Sequence, residues 1–150
     1  MAKTFLSSPR MASMVTSLTT NLNRTVAMIF GYVFLAVGVL GFLMNPTLIA
    51  FGVNALHNVV HLASGAVLLA GAYMAGGRNA RTVNMLFGAV YLLVAVLGFV
   101  APGLTAALLA SDADAFPFAD AILHTVLGVA LVGSGLAFKD TAETGAARRA

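Results

Sequence analysis

The chain of 150 residues has no cysteine and no tryptophan. Without cysteine there is no disulfide, no thiolate nucleophile and no zinc–thiolate site, and the redox compartment leaves no trace. Without tryptophan, an interfacial aromatic belt rests on Phe and Tyr. Charge is scarce too: 9% of the residues are charged and 60% hydrophobic, whereas soluble domains carry about 25% charged residues. A mean hydropathy of +0.96 excludes a water-soluble domain. Three catalytic signatures are also missing: the phosphate loop, the GxSxG elbow and the HExxH zinc-protease motif. The glycines within the apolar runs read as packing positions rather than nucleotide contacts.

What is present is four apolar runs. They are predicted at about 25–44, 54–75, 82–101 and 118–138, each close to the ~20 residues that cross a hydrocarbon core as a helix. Asn45-Pro46 ends the first, Gly76-Gly77 the second and Pro102-Gly103 the third; the fourth follows Pro117 and leaves at Lys139. Proline and glycine punctuate helices for different reasons, a missing N–H and excess backbone freedom. Thr47–Val53 and Leu104–Ala110 are apolar but too short to span, and are expected in the interface or dipping back into it. Residues 1–24 contain Lys3, Arg10 and Arg24, no acid, and eight Ser or Thr. They read as a cytoplasmic tail, flexible or lying on the lipid surface; a transit peptide is the alternative, and no secretory signal pattern is present. Residues 139–150 read as a second cytoplasmic tail.

The net charge of +3 and pI near 9.8 could suggest nucleic acid, but the placement of the bases argues for topology. All eight fall on one side: Lys3, Arg10 and Arg24 before span one, Arg78 and Arg81 between spans two and three, and Lys139, Arg148 and Arg149 after span four. The opposite loops carry only Asp112 and Asp114, with Asp120 at the head of span four. The positive-inside rule puts both termini in the cytoplasm of a cell (inner) membrane. The lipid bilayer is the expected partner, with no nucleic acid.

The runs also repeat. Phe30–Phe42 (FGYVFLAVGVLGF) and Phe87–Phe99 (FGAVYLLVAVLGF), offset by 57, agree at nine of thirteen positions. Spans two and four align at offset 63, which matches His61 with His124, Gly65 with Gly128 and His57 with Asp120. The expected architecture is an all-α integral membrane protein: a four-helix transmembrane bundle built from two parallel two-helix repeats. Small residues spaced by four, such as Ala27 and Gly31, Ala66 and Ala70, or Gly133 and Ala137, let membrane helices approach closely.

Polarity is concentrated in one stripe. Asn54, His57, Asn58, His61 and Gly65 fall within about a 100° arc of a helix, and lipid offers such groups no partner. Asp120 and His124, at i and i+4, share a face of span four. His57, His61, Asp120 and His124 are therefore the candidate metal ligands, with Asn54 and Asn58 completing a polar network. Imidazole with carboxylate suits zinc, copper, iron or nickel. A bis-His haem would use His61 and His124, a chlorophyll-type pigment one histidine per ring, and a proton relay the Asp120–His124 pair. Against these stands interhelical hydrogen-bond glue, worth roughly 0.6 kcal/mol per contact. His61 and His124 are expected to oppose each other directly or through one water, with Gly65 and Gly128 drawing spans two and four together. His57 and Asp120 would then face each other one turn nearer the surface. Asn84 is expected to cap span three or bond a neighbour, and Ser64 and Thr125 to bond back to their own helices.

The motifs Asn-x-x-His-Asn-x-x-His-Leu-x-x-Gly (54–65), Phe-Gly-x-x-Tyr-Leu-x-x-x-x-Leu-Gly-Phe (87–99) and Asp-x-x-Leu-His-x-x-x-Gly (120–128) together resemble a bacterial membrane family. It is catalogued as domain of unknown function 4383, and the resemblance covers roughly residues 25–138. It implies a small four-helix inner-membrane protein and no particular activity. The leading expectation is a non-enzymatic scaffold or accessory subunit, packed against other membrane subunits or its own copies. The alternatives are metal-, haem- or pigment-binding, and proton or ion handling.

Overall fold

The computed structural model describes residues 9–44, 47–48, 51–109 and 118–138. Lys3, Asp112, Asp114, Lys139, Arg148 and Arg149 lie outside the described residues. Four long apolar helices make up the fold: α1 (Pro9–Met44), α2 (Ala55–Tyr73), α3 (Ala80–Val100) and, after the short α4 (Pro102–Leu109), α5 (Ala119–Ala137). Each of the four is long and apolar enough to cross a membrane. The protein is an all-α integral membrane bundle.

Helix α1 contains the run expected to span at about 25–44 and extends N-terminally from it to Pro9, 36 residues without a break. Proline suits a first turn, where its missing N–H would have had no intrahelical partner. The Ser and Thr hydroxyls that made this segment read as a tail turn back onto the helix: Ser13 donates to Arg10 O (2.9 Å), Thr16 to Ala12 O (2.9 Å) and Thr19 to Thr16 O (3.0 Å). Between α1 and α2 the chain forms a two-stranded antiparallel hairpin, β1 (Thr47–Leu48) and β2 (Phe51–Gly52), pairing Thr47 with Gly52 and Leu48 with Phe51. Leu48 and Val53 are buried, so this apolar connection covers one end of the bundle. Helix α4 buries none of its residues, and the described part of that connection remains at the periphery.

The bundle has two tight pairs, α1 with α2 and α3 with α5. Glycine makes both possible. A Cβ at Gly65 would lie 2.7 Å from Gly31 O and 2.9 Å from Leu35 N; one at Gly128 would lie 2.9 Å from Gly88 O. Gly65 and Gly128 thus bring α2 against α1 and α5 against α3, not α2 against α5 as the sequence suggested. The reason is local: Gly31 and Gly88 supply the bare backbone opposite them. Between the pairs lies an apolar core of Ala27, Phe34, Leu68, Ala72, Ala80, Tyr91 and Leu131. Large apolar side chains such as Ile29, Val59, Leu86 and Val126 point outward, as a lipid-facing surface requires.

The end carrying Arg24, Arg78 and Arg81 has its own polar collar. Asn23 Nδ2 donates to Phe138 O (2.7 Å), Asn84 Nδ2 to Asn23 O (3.0 Å) and Ser134 Oγ (3.4 Å), and Arg81 Nε to Gly135 O (2.8 Å). These bonds tie α1, α3 and α5 together, so Asn84 bonds neighbours rather than capping its own helix. The α2–α3 turn passes through Ala75, Gly76 and Gly77, all at positive φ (51°, 66° and 81°), a region that glycine enters freely and alanine does not.

Candidate functional site

At the opposite end α2 starts from Asn54, whose Oδ1 accepts from His57 N (2.8 Å) while its Nδ2 donates to Leu108 O (3.1 Å). One amide therefore caps α2, satisfying a backbone donor that a helix start leaves open, and tethers α4. The cap sets the register that turns His57, Asn58 and His61 inward, where they are 3%, 0% and 6% exposed. From α5, His124 comes in at 5% exposure, its Nδ1 on Asp120 O at 2.6 Å. Thr125 donates to Ala121 O (2.8 Å) as expected.

Five rings form a closed circuit. His61 stacks on His57 (centroids 4.6 Å apart), His57 on His124 (6.0 Å), His124 on Tyr91 (5.3 Å), Tyr91 on Phe34 (5.0 Å), and Phe34 meets His61 at 5.5 Å. Ring contact between His61 and His124 thus runs through His57. Stacking at i and i+4 on one helix face accounts for this: His57 lies against His61 and reaches α5 from there. Phe34 and Tyr91 are the site residues that sequence reasoning missed. Their signal was available, since each is the fifth residue of a repeated Phe-Gly segment.

Beside the circuit lies a cavity of about 200 Å³. All four candidate ligands, His57, His61, Asp120 and His124, line it, together with Val33, Phe34 and Val37 of α1, Leu48, Phe51 and Val53 of the hairpin, and Leu123 and Leu127 of α5. Nδ1 of His61 and both amide atoms of Asn58 are buried without a hydrogen bond among the described residues; the His57 ring nitrogens fall short of full hydrogen-bond geometry but come within bonding reach of the Leu109 and Gly52 backbone. Asn58 is wedged against Gly41, where a Cβ would overlap its amide, instead of bridging to an imidazole. The hydrogen-bond glue reading is thereby weakened, because glue requires partners.

The metal reading fares no better. Among the described residues no three His, Asp or Glu stand so as to hold one ion. A metal needs in-plane lone pairs converging on one point at about 2.0–2.1 Å, and the rings of His57 and His61, 23° from parallel, aim theirs side by side. The cavity itself, about 200 Å³, is room for one small ring, since an apolar cavity of about 150 Å³ takes benzene; a tetrapyrrole would lie mostly outside it. For the proton relay, the His124 Nδ1 bond goes to the backbone carbonyl of Asp120, while the Asp120 carboxylate acts on the imidazole electrostatically.

Fold and site together define a four-span helical membrane protein with a histidine-lined cavity between its spans. The chain belongs to the family described as Domain of unknown function (DUF4383), whose model matches residues 24–137. No curated protein and no solved structure matches it.

Proposed function

We propose that this is a non-enzymatic membrane protein, a small accessory or scaffold subunit whose cavity is a binding element rather than a catalytic one. The observation that carries this reading is the pairing of a cavity with unsatisfied polarity. Three buried imidazoles border about 200 Å³ of space; Nδ1 of His61 has no partner among the described residues, and the His57 nitrogens have only backbone contacts to Leu109 and Gly52 that fall short of full hydrogen-bond geometry. An unpaired buried polar group costs about 1–3 kcal/mol, a cost that a guest can offset by supplying the missing bonds. Mild solubilisation followed by native mass measurement tests it. The expected species is an assembly with other membrane subunits or further copies, carrying a small bound molecule; a bare monomer would overturn it.

The same reading includes two parallel repeats. Its support is that buried positions recur: 23, 27, 31, 34, 38 and 41 on α1 match 80, 84, 88, 91, 95 and 98 on α3 at offset 57. Contacts recur as well. Phe34 on His61 (5.5 Å) parallels Tyr91 on His124 (5.3 Å), and Gly31 against Gly65 parallels Gly88 against Gly128. Placement in the inner membrane with both termini cytoplasmic is supported by the one-sided bases, which the positive-inside rule assigns to the cytoplasm.

A further inference from the structure

We infer that the cavity takes the hydroxyl-bearing single-ring head of a lipid-soluble molecule, of phenol or quinol type; this rests on the binding role proposed above. The hydroxyl follows from His124. A carbonyl oxygen only accepts, so the 2.6 Å contact to Asp120 O puts the proton on Nδ1. In the neutral ring the other nitrogen, Nε2, is then a bare acceptor. Nδ1 is turned back onto its own helix, so Nε2 points away from that helix, and His124 borders the cavity. An acceptor there calls for a guest that donates.

The single ring follows from volume and walls. About 200 Å³ exceeds the ~150 Å³ of a cavity that takes benzene but falls short of the ~300 Å³ at which drug-sized pockets begin. The walls are ring faces and aliphatic groups: Phe34 and His61 (5.5 Å apart) on one side, Val37 and Leu127 elsewhere. Aromatic faces favour an offset-stacked ring. Delivery from lipid follows from two lining residues on the outer surface, Val33 on α1 (45% exposed) and Leu123 on α5 (37% exposed). A tail attached to the ring would leave between these helices into the hydrocarbon layer.

Calorimetric titration of the purified full chain in detergent tests this with three probes: 4-hexylphenol, 4-hexylanisole, whose ether oxygen cannot donate, and phenol without a tail. Hexylphenol should bind saturably and about tenfold tighter than the anisole, as one hydrogen bond predicts, and tighter than phenol. Val37→Trp, which fills the cavity from α1, should abolish binding, and His124→Leu should equalise the phenol and the anisole. If His124→Leu does not fold, the wild-type comparison still decides. Equal affinity for phenol and anisole overturns the hydroxyl while leaving the binding pocket standing; phenol matching hexylphenol overturns the lipid-borne source. No saturable binding of any probe, or binding unchanged in Val37→Trp, overturns the binding role as well.

Discussion

At the scale of single residues, glycine and alanine carry the sharpest expectations. Gly65→Ala would push a methyl within 2.7 Å of Gly31 O and 2.9 Å of Leu35 N. Backbone cannot swing aside as a flexible side chain does, so the pair must separate, at a cost of about 1–3 kcal/mol. Gly133, on the same kind of apolar helix, has nothing within 4 Å of an added Cβ, so Gly133→Ala should be neutral or slightly stabilising. Thermal unfolding in detergent separates the two, and equal effects would remove the tight-crossing argument. Ala75, at φ 51°, runs the other way: Ala75→Gly should raise stability by about 1 kcal/mol or less, since the left-handed region strains alanine. The residues of the site were legible as a polar stripe because lipid makes any intramembrane histidine conspicuous. Their mutual arrangement was not. Helical spacing says that His57 and His61 share a face, but it is silent on which of them reaches α5, and the repeated Phe-Gly segments mark Phe34 and Tyr91 as equivalent positions without saying that both turn toward the histidines.

At the scale of elements, the four long helices follow from run length and punctuation, and the departures have physical causes. Residues 9–24 are too polar for a hydropathy argument to extend α1 through them, yet nothing in them breaks a helix. At 1.5 Å per residue, 36 residues reach about 54 Å, well beyond the ~30 Å hydrocarbon core. The N-terminal part of α1 should therefore project as a helix into water. The absence of cysteine makes this clean to test. In membrane vesicles open to the Arg24 side, Ser13→Cys should react with a membrane-impermeant maleimide, and Val39→Cys, exposed at 52% on the outer face, should not. Protection of Ser13→Cys would mean that the segment lies in lipid. The β1–β2 hairpin escaped the sequence for a different reason: strands of two residues each are too short to carry a period. Their role, roofing the cavity with Leu48 and Phe51, exists only once α2 and α5 stand beneath them.

At the scale of the whole molecule, the two ends of the bundle differ in kind. The Arg24 end is a bonded collar, with Asn23, Asn84, Ser134 and Arg81 linked across three helices, although Oδ1 of Asn23, Oδ1 of Asn84 and Nε of Arg24 are buried without a hydrogen bond among the described residues. The histidine end is a cavity bordered by three buried imidazoles. Such asymmetry gives the proposed orientation a functional consequence: if bases mark the cytoplasm, the cavity opens toward the far half of the membrane. In the order of the sequence all eight Lys and Arg flank the spans on the side proposed as cytoplasmic. Moving a base across costs most within about 15–20 residues of the spans, and acids weigh little. Arg24, Arg78 and Arg81 lie close to the apolar spans in the sequence and should dominate. A reporter active only outside the cytoplasm, fused after residue 150, should be silent. Fused after residue 112, in the acidic connection, it should be active. Activity at residue 150 with silence at residue 112 would invert the molecule and turn the cavity to the cytoplasmic half, leaving the helix packing untouched.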